Sequence, residues 1–223
     1  MKKKRNILIV IAIIAVVATV GGTMAAFVAS TTTTKDVSAA QLGITIVQSP
    51  PESTKGVKFL EKSEKDGSGY GYMGMPGDTV KETVAVKTDK DSKESYIRVT
   101  INRSWVDQNG QKNFALSPEE IGIIRDNDSW IVKEDPKDRE VIYCYYKKKV
   151  GADTTTDNVM DRFTILENKK SENSNDYAGY STNITFEADA VQAQEGTKAM
   201  LAEWGIEANI DPVSGVLLDY KNQ

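Results

Sequence analysis

Strict alternation of apolar and polar residues is the feature that most constrains what this chain can fold into. In residues 181–192, four apolar side chains fall on one side and three polar side chains on the other: Ile184, Phe186, Ala188 and Ala190 against Thr185, Glu187 and Asp189. Successive side chains of a β-strand point to opposite faces, so a period of two predicts a strand with one buried face. Residues 95–102 repeat the pattern, with Ile97, Val99 and Ile101 on one side and Tyr96, Arg98 and Thr100 on the other. In residues 79–86, Val80, Val84 and Val86 share one side.

Further segments share this period or are rich in β-branched residues, and turn signals separate them. The predicted strands are residues 42–47, 79–86, 95–102, 105–113 (a hairpin), 129–132, 139–147, 162–166 and 181–192. Met75-Pro76-Gly77-Asp78 and Asp107-Gln108-Asn109-Gly110 are typical turns. Only residues 197–204 have a helical pattern. We therefore predict an all-β fold, an antiparallel β-sandwich resembling a jelly roll, with one short C-terminal helix.

The first 25 residues have the layout of a secretory signal peptide. Lys2, Lys3, Lys4 and Arg5 precede an apolar run, and Gly21-Gly22-Thr23 then breaks the helix before small residues. The predicted cut lies between Ala25 and Ala26 after Thr23, with Ala26 or Ala29 as alternative last removed residues. The alternative is an uncleaved anchor, because residues 7–29 are uncharged and long enough to cross a bilayer. The expected location is the extracellular space, cell surface or matrix, or the membrane if the anchor is kept.

Charge and cysteine content limit the partners. Four of the 28 basic residues lie in the leader, so the rest of the chain carries 24 basic against 32 acidic residues. An acidic surface disfavours nucleic acid as a partner. Cys144 is the only cysteine, which excludes an intramolecular disulfide, and its strand-like surroundings predict a buried thiol.

The chain contains no histidine, and this restricts its chemistry. Catalysis by Ser-His-Asp or Cys-His and an H-E-x-x-H zinc site all require imidazole. Paired carboxylates and the aspartates of residues 126–128 and 153–157 have no distinctive spacing for glycoside hydrolysis or for a calcium loop. We therefore expect no enzyme activity, no catalytic or metal site, and no cofactor.

Several motifs together resemble a known family. Residues 20–27 resemble the leader cut by the SipW type of signal peptidase in Gram-positive bacteria, and residues 37–46 are similar to the segment that leads into the first strand there. Residues 75–80 with residues 96–101, and residues 186–193 with residues 202–204, resemble later motifs of the same proteins. This order of motifs resembles the TasA/camelysin family, over about half the chain. Residues 113–181 carry no part of it.

The resemblance implies a jelly-roll sandwich that is exported and forms part of the cell surface or the biofilm matrix. TasA-like members form fibres in which the N-terminal segment of one subunit completes the sheet of the next. Here that donor segment would be residues 26–41, after a signal peptide of residues 1–25 and before a domain of residues 42–223. Its self-assembly residues would be Ala26, Phe27, Val28, Val37 and Leu42. The implied partners are a SipW-type peptidase, further copies of the chain, and wall or matrix components.

Two other functions compete with this one. A monomeric secreted module could bind a glycan or a protein through loops that carry Tyr70, Tyr72, Tyr177 and Tyr180, whose rings could stack on sugars. Camelysin-like members are described as surface peptidases. Because no histidine is present to hold zinc, the sequence departs from the peptidase function.

Overall fold

The fold was obtained as a computed structural model that describes residues 28–31, 42–49, 58–61, 70–73, 77–107, 109–166, 177 and 179–222. These residues form strands β1 (Val28–Thr31), β2 (Ile44–Gln48), β3 (Lys58–Glu61), β4 (Tyr70–Met73), β5 (Thr79–Thr88), β6 (Ser95–Val106), β7 (Ile121–Ile124), β8 (Trp130–Glu134), β9 (Val141–Tyr146), β10 (Met160–Ile165), β11 (Ser181–Gln192), β12 (Ile206–Ile210) and β13 (Leu217–Asn222), together with helix α1 (Gly196–Trp204) and a single 3-10 turn at Pro118–Glu120. In this part of the chain no helix is long and apolar enough to span a membrane.

The strands form two antiparallel sheets and a separate hairpin. The larger sheet has the order β3-β4-β11-β6-β9-β8, with β1 also paired to β11. The smaller sheet has the order β2-β5-β10-β7, and β12 pairs with β13. The predicted all-β sandwich with one short helix is confirmed. The jelly-roll topology stays a prediction.

A buried cluster between the two sheets forms the main core. Val80, Val84 and Val86 of β5 face Ile97, Val99 and Ile101 of β6, as the alternation in the sequence predicts. Trp105 and Trp130 extend the cluster, and Trp105 Nε1 donates a hydrogen bond to the Ser117 carbonyl at 2.9 Å. Interleaved β-branched side chains in two facing sheets give a close-packed core.

A second core lies on the outer face of the larger sheet. There α1 and the β12–β13 hairpin cover Tyr96, Tyr145 and Val191, and contribute Met200 and Trp204. The sequence predicts that β6 is half-buried, with Tyr96, Arg98 and Thr100 on the solvent face. That expectation is wrong at Tyr96, which is buried, because α1 and the β12–β13 hairpin cover this face.

Predicted segment boundaries agree with the strands to within a few residues. β11 matches residue for residue, while β6 continues to Val106 and α1 begins one residue earlier than predicted. The hairpin signal at residues 107–110 is a tight turn, in which Asp107 Oδ1 accepts the backbone N–H groups of Asn109 and Gln111. Six strands have no counterpart among the predicted ones, namely β1, β3, β4, β7, β12 and β13.

Candidate functional site

The candidate donor segment meets the sheet at β1. Val28, Ala29, Ser30 and Thr31 pair with Val191, Ala190, Asp189 and Ala188 of β11. β6 occupies the whole opposite side of β11, so β1 shares its side with β4, which pairs at Thr182. Between these two partners, residues 184–187 have no strand on that side within the described part of the chain. β11 is therefore a receiving strand with a short partner at one end.

An ion pair on the outer face holds β11 in place. Asp189, the β11 residue opposite Ser30, accepts hydrogen bonds from Arg98 Nε at 3.2 Å and from the adjacent guanidinium N–H at 2.7 Å. The Arg98 guanidinium lies 5.3 Å from the Trp204 ring and 5.7 Å from the Tyr143 ring. The pair is largely buried, at 18% and 10% side-chain exposure. Arg98 therefore links α1, through Trp204, to the strand that pairs with β1.

Leu42 is the first described residue after the candidate donor segment. Its side chain is buried, and the next residue contributes a carbonyl that accepts the Asp89 N–H at 2.9 Å. β2 then pairs along β5. Leu42 and β2 are therefore packed into the sandwich. Of the other residues predicted for cleavage or assembly, Val28 lies in β1, whereas Thr23, Ala25, Ala26, Phe27 and Val37 lie outside the described residues.

Of the four tyrosines predicted to bind a ligand, Tyr177 lies in the main core and Tyr180 lies at its edge. Tyr177 is 6% exposed, its ring lies 5.1 Å from that of Trp105, and its hydroxyl donates to Glu120 at 2.9 Å. Tyr180 is half-buried against the main core. Tyr70 and Tyr72 lie in β4. Tyr177 is therefore a core residue, because a ring packed on Trp105 has no face left for a sugar.

The reactive side chains have structural partners. Cys144 is fully buried, as predicted, and burial raises the pKa of its thiol to about 11, with Arg125 3.8 Å away as an opposing influence. Such a thiol is protonated at neutral pH and a poor nucleophile. Asp157 accepts hydrogen bonds from Ser129 at 2.6 Å and Tyr146 at 2.9 Å, which lower the pKa of its carboxyl.

The candidate calcium loops are tied into the fold by similar contacts. Asp126 pairs with Arg162, and Asp153 pairs with Lys87 at 2.9 Å. In the described ranges no three His, Cys, Asp or Glu side chains come together as a metal-binding group. The interaction observed for the described part of the N-terminal segment is the backbone pairing of β1 with β11.

No family model, curated protein sequence or solved structure matches this chain. The resemblance to the TasA/camelysin family therefore rests on the sequence motifs alone.

Proposed function

We propose that this chain is an exported structural protein of the cell surface or extracellular matrix, which assembles by exchanging its N-terminal segment between copies. The observation that carries the proposal is the pairing of β1 with β11. The two strands are about 160 residues apart along the chain, and β1 is only four residues long. Antiparallel pairing supplies backbone hydrogen bonds, and the same strand from another copy can supply the same set.

The register of β1 indicates where an exchanged segment would lie. Val28 is opposite Val191 and Thr31 is opposite Ala188. Continued in the same register, residues 32–35 would come opposite residues 187–184 of β11. They would then occupy the stretch between β1 and β4 that has no described partner. Each added residue pair contributes backbone hydrogen bonds, so a fully docked segment would bind more tightly than β1 alone.

Export is the second part of the proposal. The positive, apolar and small-residue sections of residues 1–25 support passage through the membrane and cleavage by a SipW-type peptidase. Head-to-tail exchange that does not close on itself gives a filament, which is a suitable component of a biofilm matrix. N-terminal sequencing of the protein recovered from culture medium should give Ala26 as the first residue. Intact chain that still carries Met1 in the cytosol would contradict export.

A pair of cysteines can show whether β1 stays on its own chain. Ala29→Cys with Ala190→Cys places two thiols at directly opposed positions of β1 and β11, where a disulfide can form. We expect oxidation to close the bridge within one chain in monomers, and to join successive chains in assembled material. Non-reducing gels after mild oxidation distinguish the two products. Cys144 is buried and need not be replaced.

A matched pair within the sandwich serves as the control. Thr45 and Lys87 are opposed on β2 and β5, and both side chains are exposed. Their cysteine variants should form only the intrachain bridge in every state. A chain without residues 26–41 should remain monomeric in negative-stain images and on sizing. If the 29–190 bridge stays within one chain in assembled fibres, strand exchange is wrong.

A further inference from the structure

A groove lies at one end of the larger sheet, away from β1. Ser104 and Trp105 of β6 form its floor, residues 112–118 form one wall, and residues 138–140 form the other. Its volume is about 480 Å³, within the usual range for small-ligand sites.

Hydrogen bonds and an ion pair join the segments that line the groove. Arg139 connects the two walls by donating to Ser117 Oγ at 2.7 Å, and Lys112 forms an ion pair with Glu140 across the groove. Asn113 holds its wall to the floor, because its N–H donates to the Trp105 carbonyl at 2.8 Å. Tyr177 supports the Trp105 ring from the core side. A site that is already formed loses little conformational entropy when a ligand binds.

Phe114 stands on the wall of this groove with 84% of its surface exposed. A ligand that covers this ring would remove apolar surface from water, which is favourable by about 25 cal/mol for each Å² covered. The neighbouring Ala115 N–H donates to Asn113 Oδ1 at 2.8 Å, which fixes the backbone on which the ring is mounted.

The charges of the groove cancel. Among the lining residues, Lys112 and Arg139 are balanced by Asp138 and Glu140. Glu119 is not a lining residue, but it pairs with Arg139 at 3.2 Å and adds a carboxylate beside the groove. A groove without net charge does not select an anionic polymer such as a polyphosphate or an acidic glycan. It still offers hydrogen-bond donors and acceptors at Ser104, Asn113 and the charged side chains.

From this combination we infer that the groove binds a neutral saccharide. A sugar ring has an apolar C–H face, which can stack on an exposed aromatic ring such as Phe114, and hydroxyl groups that both donate and accept hydrogen bonds. The floor and walls supply such partners within one small ligand volume. The lining residues include none from β1 or β11, although Trp105 and Ser104 pair with Thr182 and Asn183 of β11. If the protein is exported as proposed, a bound saccharide would attach it to polymer of the matrix or wall.

Affinity electrophoresis tests the inference with the purified protein and four polymers cast separately into native gels. Barley β-glucan, glucomannan and dextran are neutral probes, and polygalacturonate is the acidic comparison. We expect at least one neutral polymer to retard the protein, with no retardation by polygalacturonate. Phe114→Ala should weaken binding about tenfold by loss of the stacking surface, while Phe114→Tyr should stay within about twofold of the wild type.

Val213→Ala is the matched control, since Val213 is another exposed apolar residue and lies outside the groove. It should leave retardation unchanged. Phe114→Ala should keep the wild-type thermal midpoint because the ring is exposed, so weaker binding cannot be ascribed to unfolding. The inference is overturned if none of the three neutral polymers retards the protein, or if retardation is the same in Phe114→Ala. Loss of self-association in that variant without any polymer binding would make Phe114 a contact between copies instead.

Discussion

At the scale of single residues, the Arg98–Asp189 pair connects two strands of the larger sheet with α1. It joins the outer face of β11 to Trp204 of α1, and Asp189 is the β11 residue opposite Ser30 of β1. A largely buried ion pair gives modest net stability when intact, but the loss of one partner leaves a charge that water cannot reach freely.

Asp189→Asn should therefore lower the free energy of unfolding by about 2–3 kcal/mol. The measurement is urea denaturation followed by circular dichroism. Asp153→Asn is the control, because Asp153 pairs with Lys87 at the surface and asparagine tolerates its positive φ of 48°. We expect that change to cost less than about 0.5 kcal/mol. Equal losses in the two variants would mean that burial of the Arg98 pair has no energetic importance.

Glu82 should make stability depend on pH. It is buried on the smaller sheet and accepts a hydrogen bond from Gln48; burial raises the pKa of its carboxyl above the ordinary 4.5, and the Gln48 bond partly opposes this. The folded state therefore keeps this proton to higher pH than the unfolded state, and stability falls as pH rises between the two pKa values. Glu82→Gln should be more stable than the wild type at pH 7, and the difference should disappear near pH 4.

Asp211 should give the opposite pH dependence of stability, which can be measured in the same pH series. The backbone N–H and hydroxyl of Ser214, followed by the Val213 N–H, lower the pKa of its carboxyl. Its contribution is present at neutral pH and is lost as pH falls through the folded pKa. Asp211→Asn should therefore show its deficit at pH 7 and a smaller one in acid. Parallel slopes for the two variants would contradict the assignment at Glu82.

At the scale of elements, the placement of α1 depends on one close approach. A Cβ on Gly196 would lie 2.6 Å from Cε2 of the Tyr96 ring, whose hydroxyl donates to the Gly215 carbonyl at 2.7 Å. The ring is held at its hydroxyl end by the β12–β13 turn and cannot easily move away. The N-terminus of α1 can therefore rest on β6 only because residue 196 has no side chain.

Gly196→Ala should lower the free energy of unfolding by about 1–3 kcal/mol, since an added methyl group overpacks this contact. Thermal unfolding and the near-ultraviolet dichroism of the tyrosines measure the effect. Gly151→Ala is the matched control, because a Cβ there meets no atom within 4 Å. It should change stability by less than about 0.5 kcal/mol. A stabilised Gly196→Ala would show that the helix docks with room to spare.

At the scale of the whole molecule, β6 and β11 belong to both cores. Ile97 and Ala190 face the core between the sheets, whereas Tyr96 and Val191 face the core under α1. Neither core can be disrupted without exposing the strands that form the other. We therefore expect the described part of the chain to unfold in one cooperative transition.

Tryptophan fluorescence can check this, because Trp105 and Trp130 lie in the main core and Trp204 lies in the second. In the wild type and in Trp204→Phe, the urea midpoint from fluorescence should coincide with that from far-ultraviolet dichroism. If the fluorescence midpoint is lower than the dichroism midpoint in the wild type, and the two coincide in Trp204→Phe, then α1 and the β12–β13 hairpin unfold separately.

The sequence alone determined the class of fold and much of the main core. Alternation is a local property of a strand, so it located β5, β6 and β11 and selected Val84, Ile97 and Ala190 as buried. Turn chemistry is also local, and the Asp107 turn follows from four adjacent residues. The buried Cys144 was predictable for the same reason, since it lies within a strand-like apolar run.

Tertiary structure decided the contacts between distant segments. Arg98 and Asp189 are charged residues of the kind expected on a solvent-exposed face. That face becomes a second core only because Trp204 packs over it. Tyr177 lies near glycines in a polar stretch, yet its ring is buried on Trp105. The pairing of β1 with β11 and the groove at Phe114 also join residues far apart in sequence. Burial and strand pairing depend on which distant segments pack together in the folded chain. A local pattern of side chains does not specify those segments.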